Sequence, residues 1–204
     1  VAARTAAPVL HPAPAGAQSL RVGDAALAVD PLSGNGLFQA LSTGLMAVAV
    51  VNTMLRRPDD AALAVGFYRE RVAESFWRFA RIGRDFYRQE RRWPGSPFWV
   101  ERRAWPDDLP AHRPATAGSL QLATRPVVVD GFIVSREVVV TPDQPLGIWQ
   151  LDGIELAPLV RRLRDEPNSA DEPVKARIAR LTRATPQQVE TVAAWLWQRL
   201  GAPR

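Results

Sequence analysis

The sequence has 204 residues, of which 47% are hydrophobic and 23% charged, and its formal net charge is +5. This composition is typical of a globular protein with one large or two small domains, and it excludes wholesale disorder. The absence of cysteine excludes a disulfide scaffold, a thiolate zinc site and a cysteine nucleophile. With only two histidines, His11 and His112, we predict no metal centre.

The chain begins with an alanine- and proline-rich segment that has no periodicity. Residues 1–19 therefore predict an irregular lead-in. Residues 20–22 predict a short strand that ends in a turn at Gly23 and Asp24.

A long helical region follows a second turn. Residues 30–36 (DPLSGNG) are turn formers, and the nearly continuous apolar run over 37–55 predicts a mostly buried helix that Pro58 ends. Apolar spacings of three to five predict another helix over 60–92. An aromatic, proline-rich connector is expected after it, and no apolar stretch is as long as a membrane span, so we predict no membrane partner.

From Leu120 onward the apolar period changes to two and then back to a helical period. Strands are predicted at 126–129, 132–141 and 148–151, and helices at 155–164, 172–183 and 186–200. Asp130-Gly131 is a hairpin turn, and Thr185 with Gln188 forms a capping box for the last helix. The fold class is therefore α+β. We predict domains at 1–115 and 116–204, the second with the element order of a winged-helix module.

The positive charge is concentrated in one segment. Residues 69–103 contain ten arginines and five acidic residues, while the rest of the chain is balanced. Because the two signs alternate along the segment, the pattern favours a solvated helix surface with ion pairs over a nucleic-acid-binding surface.

The segment 22–36 (VGDAALAVDPLSGNG) carries the chemical signal. Gly23 allows close backbone approach to a ligand, and the carboxylate of Asp24 can accept hydrogen bonds from ligand hydroxyls. Asp30-Pro31 fixes a turn that leads into the apolar helix. Backbone N–H groups at such a helix start attract negative charge. A ligand with both hydroxyls and a delocalised anion would suit these features.

The pattern G-D-A-A, D-P, small-residue turn and apolar helix resembles the second FAD-binding motif of flavoprotein monooxygenases and flavin-dependent halogenases. Residues 86–103 (FYRQERRWPGSPFWVERR) are similar to an aromatic run in one branch of that superfamily. This branch comprises the halogenase-like monooxygenases that mature quinone cofactors in lysine oxidase, glycine oxidase and quinohemoprotein amine dehydrogenase. The resemblance covers about residues 4–103 and is weak beyond Leu120.

The resemblance implies a role for each matched residue. Asp24 would bind the ribityl chain of FAD, which Gly23 would allow to lie close, and Pro31 would sit beside the isoalloxazine ring. The N–H groups that would face the pyrimidine edge of the ring are those of Gly34, Asn35 and Gly36. No catalytic acid or base is assigned.

The family's G-x-G-x-x-G turn, which binds the ADP half of FAD, does not occur in the sequence. The chain therefore looks like the C-terminal half of an α/β FAD-binding fold with long helices, followed by a small module. It would be inactive alone, and its partner would be the N-terminal half of the same flavoprotein. The resemblance implies a monooxygenase that uses O2 and NAD(P)H or another external reductant. The cytoplasmic location is predicted instead from the first residues, which lack the pattern of a signal peptide, and from the shortness of the apolar stretches.

The resemblance implies hydroxylation of an aromatic ring, a Tyr or Trp side chain of a protein or peptide substrate. Two alternatives stay open. A flavin-dependent halogenase would share the same FAD motif, and its diagnostic residues would lie in the missing half. A non-enzymatic module would instead use the basic segment to bind nucleic acid or another protein.

Overall fold

A computed structural model describes residues 6–166 and 172–200. The α+β class is confirmed, since six helices and seven short strands are found in this part of the chain. The residues divide into two compact units. The first contains 1–112 together with the hairpin tip 128–134, and the second contains 113–127 and 135–204.

The first unit begins with a small ribbon. Strand β1 (Val9–Leu10) pairs antiparallel with β2 (Leu27–Ala28). The strand predicted at 20–22 is wrong, because Leu20 forms only an isolated bridge and Gly23–Ala25 is a single 3-10 turn. The lead-in is also more ordered than predicted, since it supplies β1 and the fully buried Ala15.

The first long helix, α1 (Gly36–Arg56), has the predicted extent but not the predicted burial. One face packs into the first unit, and its Thr53 hydroxyl accepts a hydrogen bond of 2.7 Å from the Ile133 N–H. The other face is exposed, with Leu45 75% accessible. The expectation of a mostly buried helix was wrong. The hydrophobicity of a helix does not show how many of its faces pack against the rest of the chain. Judged by length and composition alone, α1 is also apolar enough to cross a membrane, although 28% of its most apolar window is buried in this unit.

The second long helix, α2 (Ala61–Tyr87), packs along α1 and ends five residues earlier than predicted. Its buried face includes Phe67, Val72 and Phe76. A short helix, α3 (Pro97–Ala104), occupies the segment expected to be an irregular connector. Proline at its first position and apolar residues on one face stabilise it, a signal too short to stand out from the surrounding aromatic run.

The second unit combines a three-stranded sheet, a small ribbon and three helices. The strands are β3 (Gln121–Val129), β4 (Phe132–Thr141), β5 (Gln144–Ile148), β6 (Gln150–Leu151) and β7 (Ile154–Glu155), and the sheet order is β3-β4-β5. The helices are α4 (Leu156–Asp165), α5 (Val174–Thr182) and α6 (Pro186–Leu200). Their core includes Val139, Leu156, Ile178, Val192 and Leu196.

Two local predictions for residues 121–200 are confirmed and a third is confirmed in part. Asp130 and Gly131 have φ values of 50° and 77°, as a two-residue hairpin turn requires. The Thr185 N–H donates to the Gln188 side chain at 2.9 Å, so the capping box forms. The strand predicted at 148–151 is found in part, since Ile148 ends β5 and Gln150–Leu151 forms β6. The start of β5 at Gln144 was missed, because a proline and a glycine within this strand give it the composition of a turn.

Candidate flavin site and the adjoining cleft

The turn that carries Gly23 and Asp24 lies against the first two turns of α1. The Gly23 N–H donates to the Thr43 hydroxyl at 2.9 Å, and a Cβ on Gly23 would meet the Ala40 side chain at 3.5 Å. The backbone at Gly23 has φ +58°, which favours glycine. The sequence singled out Gly23 but not Thr43, which holds the turn to the helix.

Asp24 is exposed at this turn. Within residues 6–166 and 172–200, its carboxylate takes part in no hydrogen bond or ion pair. The absence of an internal partner leaves both oxygens available to an external donor. A carboxylate held next to a helix start and without a structural role is suited to binding ligand hydroxyls.

The second motif forms a compact turn at the same end of α1. Pro31–Ser33 is a 3-10 turn, and Gly34 follows with φ +66°. The Gly34 N–H donates to the Pro31 carbonyl at 3.0 Å, and the Asn35 N–H to the Ser33 hydroxyl at 3.3 Å.

Of the N–H groups that the resemblance assigns to a ligand edge, those of Gly34 and Asn35 therefore already have acceptors inside the turn. The first N–H that α1 leaves without an intrahelical partner is that of Gly36, and the next two belong to Leu37 and Phe38. The groups available to an anion thus lie slightly further along the chain than the motif alone implied.

Asp30 anchors this turn and was not singled out as a site residue. Its side chain is 5% exposed, and its two oxygens accept hydrogen bonds from the Leu32 N–H at 2.9 Å and the Tyr87 hydroxyl at 2.8 Å. Gly83 allows this approach, because a Cβ there would meet the Asp30 side chain at 3.5 Å. Burial, together with the Asp30 carboxylate, raises the pKa of Tyr87. The sequence feature that could have indicated this role is an acidic residue directly before a proline.

A cleft of about 730 Å³ adjoins this anchor. Its walls come from the lead-in, the C-terminal half of α2, and α3 with the residues after it; they include Pro8, Asp30, Tyr87, Phe98, Arg102 and Trp105. The Arg102 guanidinium lies 4.4 Å from the centre of the Phe98 ring, and the Arg102 Nε is buried without a hydrogen-bond partner in the described chain. The cleft therefore combines aromatic walls with a guanidinium that packs on one of them.

Several arginines of the basic segment 69–103 form ion pairs within the first unit. Arg81 binds the Asp107 carboxylate through two nitrogens, at 3.0 and 2.8 Å, and this contact lowers the pKa of Asp107. Arg84, 3% exposed, pairs with Asp85 and Asp107, and Arg88 pairs with Asp108. The predicted pairing was right in kind, but Asp107 and Asp108 were missed as partners. These arginines fix the segment after α3, which disfavours a free basic surface.

The Asp30–Tyr87 hydrogen bond provides a test of the anchor. We expect Tyr87→Phe to lower the free energy of unfolding by about 1–2 kcal/mol, because it leaves a buried carboxylate oxygen without its donor. Urea denaturation of the wild type, Tyr87→Phe, Asp30→Asn and the double variant measures the coupling. Strictly additive losses would show that the two groups do not interact.

Comparisons with known proteins find that this chain is similar to flavin-dependent oxidoreductases. The chain superimposes with a TM-score of 0.79 and 46% identity on QhpG, described as a peptidyl tryptophan dihydroxylase essential for tryptophylquinone cofactor biogenesis. That match covers 98% of the chain and 44% of QhpG. LodB of Marinomonas mediterranea, described as an FAD-dependent oxidoreductase, is 30% identical over 86 residues, which are 42% of the chain and 22% of LodB.

A third match shows the fold alone. The flavin-dependent halogenase CmlS superimposes with a TM-score of 0.52 at 15% identity, over 88% of the chain and 42% of CmlS. No protein-family model matches the sequence.

The recognition made from the sequence is confirmed. The chain fits the halogenase-like flavoproteins of quinone-cofactor maturation as a partial chain, spanning less than half the length of QhpG or LodB. The expected limit near residue 103 was too narrow, since the match to QhpG covers almost the whole chain.

Proposed function

We propose that this chain is the C-terminal part of an FAD-dependent monooxygenase that hydroxylates the aromatic ring of a Tyr or Trp side chain in a protein substrate during quinone-cofactor biogenesis. The observation that carries the proposal is the 46% identity to QhpG over 98% of the chain. The FAD-dependent relative LodB supports the cofactor independently.

The geometry of the first unit fits one end of a flavin. Gly23 supplies a side-chain-free surface, Asp24 supplies a carboxylate without an internal partner, and Gly36 begins a helix with free N–H groups. In the proposal, Asp24 holds the ribityl hydroxyls and Pro31 lies beside the ring. The helix start favours negative charge on the pyrimidine edge.

In this proposal the bound FAD supplies the redox chemistry that transfers an oxygen atom from O2 to an electron-rich ring. The chain supplies binding and electrostatics: a fixed turn, an exposed carboxylate and a preoriented helix end. The aromatic cleft beside Asp30 is large enough for an amino-acid side chain and is our candidate for part of the substrate path.

The flavin site can be tested in the full-length protein with Asp24→Asn. We expect FAD affinity to fall roughly 10- to 100-fold, because a hydrogen bond to a charged group contributes about 1.5–3 kcal/mol. Quenching of flavin fluorescence measures the affinity. Asp59→Asn, at another exposed aspartate close to the other end of α1, is the matched control and should change nothing.

Equal FAD affinity in Asp24→Asn and the control would remove Asp24 from the site. The reaction itself is tested by incubating the FAD-loaded protein with O2, NAD(P)H and a Trp- or Tyr-containing peptide. A mass gain of one or two oxygen atoms on the aromatic residue is expected. Halogen incorporation in the presence of chloride or bromide would instead establish the halogenase alternative. The cytoplasmic location, the reductant and the inactivity of the chain alone stay predictions.

A further inference from the structure

The cleft beside Asp30 has an arginine in its wall whose charge is unpaired. Three other arginines of the same region, Arg81, Arg84 and Arg88, form ion pairs with aspartates. Arg102, in α3, has neither an ion pair nor a hydrogen bond to any residue that the structure describes. Its positive charge is therefore not balanced within this part of the chain.

Two aromatic rings fix the position of the Arg102 guanidinium. It lies 4.4 Å from the centre of the Phe98 ring and 5.4 Å from the centre of the Tyr87 ring. Glu101 also lines the cleft but forms no ion pair with Arg102 in the described chain, because consecutive residues of a helix do not face each other. A guanidinium that stacks on aromatic rings keeps the edge of its plane for paired hydrogen bonds to a carboxylate.

The rest of the cleft suits an aromatic side chain. Residues with small side chains, Ala80, Gly83 and Ala104, form part of its wall. The large apolar residues of the wall, Phe98 and Trp105, are themselves 50% and 42% exposed. The volume of about 730 Å³ lies within the range of sites that enclose drug-sized molecules. The cleft can therefore hold a ring together with an acidic group of the same ligand.

The cleft adjoins the proposed flavin site. Asp30 lines the cleft, and the next residue, Pro31, is the one assigned to the flavin ring in the proposal. Tyr87 lies between Asp30 and Arg102, since its hydroxyl donates to Asp30 at 2.8 Å and its ring lies beside the guanidinium. An extended peptide advances about 3.3–3.6 Å per residue. A carboxylate at Arg102 and a ring near the Asp30 turn can therefore belong to residues a few positions apart in one peptide.

We propose that Arg102 is a specificity-determining residue that binds the carboxylate of an acidic side chain in the polypeptide substrate, a few positions from the aromatic residue that is hydroxylated. This inference rests on the proposed function and adds to it the charge of the substrate next to the reacting ring. An ionised carboxylate is bound in preference to a neutral amide, because both of its oxygens accept hydrogen bonds and its charge is opposite to that of the guanidinium.

Peptide binding to the full-length, FAD-loaded protein tests this assignment. The probes are two short fluorescent peptides with a central Trp, which carry either Glu or Gln at the second and third positions on both sides of it. We expect the Glu peptide to bind at least about 10-fold more tightly, the factor that a hydrogen bond to a charged group contributes. Fluorescence anisotropy measures both affinities.

Substitutions assign the preference to one residue. Arg102→Gln is expected to abolish the preference for the Glu peptide and to leave the affinity for the Gln peptide nearly unchanged. Arg102→Lys keeps the charge but not the planar fork and should keep only part of the preference. Arg91→Gln, at an exposed arginine outside the cleft wall, is the matched control and should keep the full preference.

Equal affinity of the wild type for the two peptides would overturn the proposal, and so would the absence of binding by either peptide. A preference that Arg91→Gln loses as completely as Arg102→Gln would also overturn it, because the attraction would then be general to a basic surface. If Arg102→Gln does not fold, Arg102→Lys decides, since an undiminished preference in that variant contradicts the paired contact.

Oxygen incorporation into the same peptides, measured by mass spectrometry, separates this inference from the proposed function. A protein that hydroxylates both peptides with equal kcat/KM rejects the role of Arg102 and leaves the function standing. A protein that prefers the Glu peptide through Arg102 but transfers no oxygen keeps the binding site and rejects the function.

Discussion

Replacing Gly147 with alanine is expected to lower the free energy of unfolding by about 3–4 kcal/mol. Gly147 lies in β5 with φ +79°, a conformation that costs an L-residue about 1–2 kcal/mol. A Cβ there would also lie 2.3 Å from a methyl carbon of the buried Val138. Val138 cannot easily move aside, because a β-branched side chain in a strand has few rotamers.

Gly118→Ala is the matched control for this substitution. Gly118 has φ +75°, but nothing lies within 4 Å of its added Cβ, so only the backbone cost of about 1–2 kcal/mol applies. Urea denaturation followed by circular dichroism measures both variants. The double variant Gly147→Ala/Val138→Ala should lose less than the sum of the single losses, and equal losses in Gly147→Ala and Gly118→Ala would contradict the steric argument.

Asp143→Asn is expected to destabilise the protein by about 3 kcal/mol, because it leaves a buried guanidinium without its charge partner. Arg199 is 6% exposed and forms an ion pair with the Asp143 carboxylate, which also accepts from the Thr141 hydroxyl at 2.8 Å. The Arg199 guanidinium also lies 4.1 Å from the centre of the Trp195 ring. Thermal unfolding of Asp143→Asn against the wild type measures the loss.

The pH dependence of stability provides a second readout for this pair. Burial alone would raise the pKa of Asp143, but the hydrogen bonds from Arg199 and Thr141 outweigh it and hold the pKa below its ordinary value. Stability from this group is therefore complete above the unfolded-state pKa of about 3.9 and is lost as the pH falls through the lower folded-state value. In Asp143→Asn this acid-dependent component should disappear; an unchanged acid profile would contradict the assignment.

The helices and the hairpin could be predicted from the sequence, because the patterns that indicate them involve residues close together in the chain. Apolar spacing located α1 and α2, Asp130-Gly131 located the hairpin, and Thr185 with Gln188 located the start of α6. Each signal depends on residues within a few positions of one another, and the structure preserves those relations.

Long-range relations did not follow in the same way. The β1–β2 pair joins residues far apart in the chain, and two-residue strands leave no periodicity to detect. The burial of α1 depends on what covers it, which the hydrophobicity of 37–55 alone does not contain. The role of Asp30 depends on Tyr87, 57 residues later, so no motif centred on Asp30 could reveal it.

The site residues show the same division. The motif singled out Gly23 and Asp24. The structure gives Gly23 a positive φ and, among the described residues, gives the Asp24 carboxylate no partner, while their role toward a flavin stays a prediction. The N–H groups differ, because the turn itself uses those of Gly34 and Asn35. Which donors a turn consumes internally depends on its hydrogen-bond pattern rather than on its composition.

The two hydrogen bonds accepted by Asp30 hold the segment 30–36 against α2, the helix that ends at Tyr87. A stretch rich in glycine, serine and asparagine would by itself sample many conformations, at roughly 1–2 kcal/mol of entropy per residue to fix. Here the Asp30 carboxylate accepts one hydrogen bond from Leu32, within the segment, and a second one from Tyr87, at the end of α2. A ligand that binds to this surface therefore contacts a segment that is already ordered. Less of the binding free energy is then lost to ordering the segment.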